Sequence, residues 1–180
     1  MEVLEAIHAR RSVRSFRDAD VPDETLETLL RAAMAAPTAG NQQPWRFVVV
    51  RDAETRARLG AAGVYKTPAA NAPVDIVVLG EPGSGPLDGH WWALDCALAV
   101  ENLMIAAVPL GLGTVWLAGW PNAEWAGNYA EAIGAPDGVV PLAVIAVGVP
   151  EKVPAPQDRY RPDHVFSERY GEVLTAATTG

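Results

Sequence analysis

The sequence predicts a single domain in which helices and short buried strands pack around one central helix. Three observations carry that expectation. From Trp91 to Val108 nearly every helical face is apolar, and a helix without a polar side has to be buried on all sides. Apolar, β-branched runs recur at 47–50, 74–79, 114–117 and 141–149, as buried strands do. The length, 180 residues, suits one domain with a substantial core. No internal repeat or second-domain boundary interrupts it, so residues 1–150 are expected to form one domain and 151–180 an arm and tail belonging to it.

In chain order, Glu2 to Arg10 places Val3, Leu4 and Ile7 on one face and reads as a first helix. Val21-Pro22-Asp23-Glu24 opens a second, with proline at the first position and acids in the first turn. Leu26, Leu29, Leu30, Ala33 and Met34 keep helical spacing until Pro37 stops it. Residues 37–45, PTAGNQQPW, form a turn-rich loop dense in neutral hydrogen-bonding groups: Thr38, Asn41, Gln42 and Gln43. Phe47 to Val50 is a strand and Asp52 to Leu59 a short helix, followed by an irregular segment through Pro73. Val74 to Leu79 is a second strand. Gly80 to Gly89, GEPGSGPLDG, cannot hold regular structure and reads either as a surface loop or as a lid.

The central helix approaches membrane-span length, but Asp95, Glu101 and Asn102 oppose a lipid setting. They place it inside protein, or along an interface between two subunits. Gly111 suits its C-terminus, where positive φ is often needed, and Thr114 to Leu117 follows as a strand. A helix near Asn128 to Ile133 and a strand over Pro141 to Val149 complete the domain. Pro150 to Tyr160 is rich in proline and should run as an extended arm. Arg159 and Arg161 stand at its end, before a weakly helical stretch and a TAATTG tail expected to be disordered.

A net charge of −8 and a pI of 4.8 argue against a nucleic-acid or anionic-membrane partner. Twelve of the fourteen basic residues are arginine, and Arg10, Arg11, Arg14 and Arg17 cluster. An acidic protein with a local arginine cluster points to one small anionic ligand. Arg10, Ser12 and Arg14 share a parity, so an extended backbone would point all three one way. Paired guanidinium N–H donors and a hydroxyl then make an anion receptor, or else the segment is a solvated basic turn. Cys96 is alone in the buried helix and reads as an inert core thiol. The N-terminus opens into an amphipathic helix with no apolar signal segment, so a cytoplasmic location is expected.

Several chemistries are excluded. Gly111-Leu-Gly113 lacks the third glycine of a dinucleotide fingerprint and precedes a strand rather than a helix. No phosphate-binding loop ending in Gly-Lys-Ser/Thr and no Gly-x-Ser-x-Gly elbow occur. His8, His90 and His164 lack metal-ligand spacing, and no metal is expected. With no poised nucleophile, an anion receptor and an amide-rich loop point to a cofactor that brings its own reactivity. The junction between the central helix and its strand is a candidate site, because small residues there let a ligand approach the backbone.

RRSVRSF at 10–16, APTAGNQQPW at 36–45, LDCALAVENLMIAA in the central helix, GLGTVWLAG at 111–119, PLAVIAVGVP at 141–150 and DRYRPDHV at 158–165 together resemble the nitroreductase family. The resemblance covers most of the chain. It implies an α+β fold with a central mixed or antiparallel sheet flanked by helices. It also implies a homodimer with the buried helix at its interface and FMN bound between the subunits. Carried over, Arg10 and Ser12 meet the FMN phosphate and ribityl chain with Arg11 nearby, and Arg159 and Arg161 close on the phosphate. Arg14 sits near flavin N1 and O2. Pro37, Thr38, Ala39 and Asn41 reach the flavin from the partner subunit. The backbone N–H groups of Ala118 and Gly119 face N5, and Leu117 packs under the ring.

No side chain is expected to be catalytic, since flavin N5 carries the chemistry. Trp91, Trp92 and Trp120 are candidates for an aromatic wall over the flavin, with core packing the alternative. The implied activity is hydride transfer from NAD(P)H to flat acceptors such as nitroaromatics or quinones, by alternation at one site. The rival readings are other flavin chemistry (reductive dehalogenation, ene reduction or flavin cleavage) and a flavin-binding protein without turnover. Two departures stand out: Ala118 replaces an acidic residue found in many members, and Pro109 interrupts the last turn of a helix that is usually regular.

Overall fold

The computed structural model describes residues 1–63, 66–83 and 89–174. Four strands, β1 (Trp45–Val50), β2 (Val74–Gly80), β3 (Gly113–Ala118) and β4 (Val140–Gly148), form one antiparallel sheet in the order β1-β2-β4-β3. That order puts the most apolar runs in the middle. Every residue of β2 is buried, and all of β4 except Val140. Successive side chains point to opposite faces, and each face carries its own core. Ile76, Val78, Ile145 and Val147 pack against α2 (Asp23–Met34) and α5 (Trp92–Ala107). Val77, Leu79, Val144 and Ala146 pack toward α3 (Ala53–Ala62), α4 (Lys66–Asn71) and α6 (Ala123–Ile133). The sheet is thus antiparallel and flanked by helices, an α+β arrangement.

The remaining helix, α1 (Val3–Ala9), lies against α5. Local chemistry sets several boundaries. Asp52 caps α3 by accepting the Thr55 N–H at 2.8 Å, a bond that holds its carboxyl below the usual range. Asn122 caps α6 through the Trp125 N–H at 3.0 Å, and Gly134 ends it in the left-handed conformation. Helix α6 therefore starts earlier than Asn128.

Two expectations are corrected. The segment before Pro73 is not irregular: residues 66–71 form α4, whose end is held by the Arg56 guanidinium donating to the carbonyls of Ala70 and Ala72. Pro109 does not interrupt the central helix either. Helix α5 ends at Ala107, and Pro109 follows in the turn that Gly111 completes at φ 72°. The C-terminal arm has no helix or strand over 151–161, and one 3₁₀ turn at Pro162–His164. The stretch expected as a surface loop or lid, Gly80–Gly89, starts with the last residue of β2, and its positions 84–88, like the tail over 175–180, lie outside the described residues. Among the described residues no helix is long and apolar enough to cross a membrane.

Within one chain α5 is not sealed on all sides. Val100, Leu103 and Ala107 are buried, whereas Leu94 is 58% and Leu98 47% exposed, one helical turn apart. Val3, Leu4 and Ile7 of α1 are exposed as well.

Candidate functional site

Beyond α1 the chain turns extended at Arg10 and runs along the open edge of β3. Ser12 bridges Thr114, and the Val13 N–H donates to the Thr114 carbonyl at 2.9 Å. Val13 is buried against Gly113, where an added Cβ would come within 2.7 Å of its side chain. Glycine at 113 is what lets this segment seat. With Val13 inward, alternation turns Arg10, Ser12 and Arg14 the other way. Arg10 and Ser12 are half-buried and Arg14 exposed. Arg10 pairs with Glu101 of α5 at 3.5 Å, Arg11 donates to the Ala155 carbonyl, and Arg14 reaches the Ser12 carbonyl at 3.5 Å.

The C-terminal arm joins the same segment. Phe16 bridges Pro150, and the Glu151 N–H donates to the Ser15 carbonyl at 3.1 Å. From there the arm returns past Arg11, and Gln157 and Arg159 close a recess of about 80 Å³ with Ile7, His8, Arg10 and Arg11. Three guanidiniums from the two ends of the chain therefore share one small recess. A larger one of about 140 Å³ adjoins it, lined in part by Arg10, Arg11, Val13 and Val153. Arg161 is not a wall of the first recess; its guanidinium turns to Asp163 at 3.5 Å.

The loop after α2 is tightly folded. Residues Ala39–Asn41 form a 3₁₀ turn in which Gly40 and Asn41 take φ of 58° and 54°. Thr38 Oγ1 accepts the Gln43 N–H at 3.2 Å, and Gln43 Nε2 donates to Asn41 Oδ1 at 3.0 Å. The Ala39 N–H donates to Asp95 Oδ1 of α5 at 3.0 Å. Asp95 was not among the residues expected at a site. Its signal in the sequence is a carboxylate inside an otherwise apolar helix.

At the end of β3 the structure separates Ala118 from Gly119. The Gly119 N–H donates to the Leu142 carbonyl at 2.9 Å, so it faces β4 and is not free for a flavin atom. Antiparallel alternation then turns the Ala118 N–H toward the open edge, beside the same edge used by Ser12. Gly119 is small for a packing reason: a Cβ there would lie 2.8 Å from the Pro141 carbonyl and 3.1 Å from the Tyr129 ring. Leu117 is committed to the core beneath α6. Trp92 is buried, its ring over Gly80, where an added Cβ would overlap it at 2.1 Å. It meets Trp120 edge-on at 5.5 Å. Trp120 and Trp91 remain exposed, so of the three candidate tryptophans Trp92 is a core residue. Cys96 is buried with Sγ 3.6 Å from the Leu79 carbonyl, and burial pushes its thiol up to about 12.

A broad groove of about 610 Å³ lies along β1 between α3 and α6 and contains none of these residues. The small arginine recess is the chemically distinctive one.

Comparison with known proteins adds four findings. A model of the nitroreductase family matches residues 7–63 and 61–149. A protein of Archaeoglobus fulgidus provisionally named NADH dehydrogenase/NAD(P)H nitroreductase is 37% identical over 94% of this chain and 99% of its own length. Among solved structures, a protein of the same provisional name from Parabacteroides distasonis superposes with a TM-score of 0.88 at 32% identity, covering 93% of this chain and 98% of its own. A provisionally named nitroreductase from Desulfovibrio desulfuricans, solved in complex with FMN, superposes at 0.77 with 30% identity, covering 94% and 98%.

Proposed function

The chain belongs to the nitroreductase family, and from that premise we propose that it is an FMN-dependent oxidoreductase using NAD(P)H to reduce flat acceptors such as nitroaromatics or quinones. The observation that carries this reading is the convergence of Arg10, Arg11 and Arg159 on one recess. A phosphate monoester brings about −1.5 to −2 charges near neutral pH, more than one guanidinium offsets. At about 80 Å³ the recess is far too small for a ring system and suits a compact anion. Each guanidinium offers five N–H donors, and the protein contacts of Arg10 and Arg11 leave most of them for a ligand. The residues present fit the phosphate end of FMN.

Bound FMN would supply the redox chemistry, taking hydride from the nicotinamide and delivering it to the acceptor in alternation. The chain's own part is to bind and orient. Arg10, Arg11, Ser12 and Arg159 would hold the phosphate and ribityl chain. The Ala118 N–H, on the open edge of β3, would be the donor toward the reactive edge of the ring. The absence of side-chain bulk at Ala118 lets a flat group approach that edge. Trp120, exposed at the end of β3, would border the acceptor's approach.

The reading includes a homodimer. Leu94 and Leu98 of α5, with Val3, Leu4 and Ile7 of α1, form an exposed apolar face on helices that lie together. Faces of this kind mark interaction surfaces. A second copy meeting it would bury α5 on its remaining side and bring the Pro37–Asn41 loop toward the other subunit's flavin.

Anaerobic addition of NADH or NADPH to the FMN-loaded protein tests the activity. Rapid bleaching of the flavin, reversed by quinones or nitroaromatics, is expected. A yellow protein whose colour persists would indicate a flavin carrier, and a colourless protein indifferent to FMN would end the reading.

A further inference from the structure

Asp95 sits in the first turn of α5, 3% exposed, among apolar neighbours. Burying a carboxylate is unfavourable unless its oxygens find donors. Oδ1 accepts the Ala39 N–H at 3.0 Å, while Oδ2 is shut from solvent with no donor among the described residues. Its partner is thus not in its own helix but in the loop after α2. That loop needs holding: Gly40, Asn41 and Gln43 take φ of 58°, 54° and 48°, a region that side chains disfavour. The bonds from Gln42 to Ala39, from Gln43 to Thr38 and from Gln43 to Asn41 tie the loop only to itself. The Asp95 bond ties it to the core of the sheet's helical layer.

We propose that Asp95 is a positioning residue whose carboxylate, acting through the Ala39 N–H, fixes the Thr38–Gln43 loop against α5 and so sets where that loop meets bound flavin. The hydrogen bond stands by itself; its consequence for the flavin rests on the function proposed above. Asp95 is not a catalytic residue, since the Ala39 backbone lies between it and the loop's polar groups.

Three variants of the full chain decide the matter. Asp95→Asn keeps an oxygen that can accept from Ala39. Asp95→Ala removes it. Ala39→Pro removes the donor from the other side without touching α5. The backbone is suited to that change, because Ala39 is the first residue of its 3₁₀ turn and Thr38 before it is extended at φ −133°, ψ 151°. The first measurement is amide hydrogen exchange in the loop, with and without FMN. Exchange at Ala39 should rise about tenfold or more in Asp95→Ala and stay near wild type in Asp95→Asn. In Ala39→Pro, exchange at Asn41 and Gln42 should rise likewise.

The second measurement is on FMN-loaded protein. Asp95→Ala and Ala39→Pro should shift the visible flavin band and raise the acceptor KM about tenfold, while Asp95→Asn stays within about threefold. Unchanged exchange in Asp95→Ala, or Asp95→Asn as impaired as Asp95→Ala, overturns the proposal. Should Asp95→Ala fail to fold, Ala39→Pro still decides it: a loop whose exchange and flavin band are unaltered there overturns it. If the wild type takes up no FMN, the flavin reading falls and its consequence with it, while exchange still judges the Asp95–Ala39 link.

Discussion

Asp75 stands in β2 between Val74 and Ile76, opposite Val50 on one side and Ala146 on the other. Both carboxylate oxygens are buried without a donor among the described residues. Burial pushes the group from 3.8 up to about 8, and Arg56 nearby pulls the other way without reversing it. Between those two values the native state keeps a proton that the unfolded chain has released. Stability from this group is therefore complete below 3.8 and is lost as pH rises through about 8. At about 1.4 kcal/mol per unit, the swing is on the order of a few kcal/mol. Asp75→Asn should melt above wild type at the alkaline end of this window, with the gap closing toward the acid end. Thermal melts across the window check this, and a gap independent of pH would place the titration elsewhere. A second residue-scale prediction follows from Gly119, whose Cβ would press on the Pro141 carbonyl and Tyr129. Gly119→Ala should lose about 1–3 kcal/mol in chemical denaturation, the usual cost of overpacking.

At the scale of the element, α5 is where the proposed homodimer is tested. Its exposed residues Leu94 and Leu98 repeat at one helical turn, and α1, which lies against α5, exposes Val3, Leu4 and Ile7. Leu98→Glu would place a charge in the middle of that face while leaving the inward residues untouched. Sedimentation should show a dimer for wild type and a monomer for Leu98→Glu, with the melting temperature of the isolated subunit little changed. A monomeric wild type would remove the interface. The bounds of α5 were legible in the sequence because an apolar run ends at a glycine that needs positive φ. Helix α4 was not, because it is six residues long, contains Pro68 and depends on Arg56 from another helix for its end. The role of Gly119 was misread for a similar reason. Its smallness was visible, but whether a ligand or the Pro141 carbonyl demanded it depends on a register that only the folded sheet supplies.

Across the whole molecule, the site exists because the two ends of the chain meet. The sequence contained both arginine groups, and their shared chemistry made a common anion foreseeable. It could not show that the arm is pinned at Phe16–Pro150 and Arg11–Ala155, nor that only one of its two arginines then faces the recess. Arg159 lines it; Arg161 is engaged with Asp163 at 3.5 Å, both groups mostly exposed. This asymmetry gives a sharper test than removing both. A charge-assisted bond to a phosphate contributes about 1.5–3 kcal/mol, so Arg159→Ala should weaken FMN binding about tenfold or more. Arg161→Ala removes a solvent-screened pair of little worth and should change the Kd by less than about threefold. Fluorescence titration with FMN measures both, and rising salt should weaken wild type more than Arg159→Ala because one phosphate contact fewer is left to screen. Equal losses in the two variants would mean that the arm shifts on binding and brings Arg161 from Asp163 to the phosphate. In that case the Asp163→Ala variant, which frees Arg161 beforehand, should bind FMN more tightly than wild type.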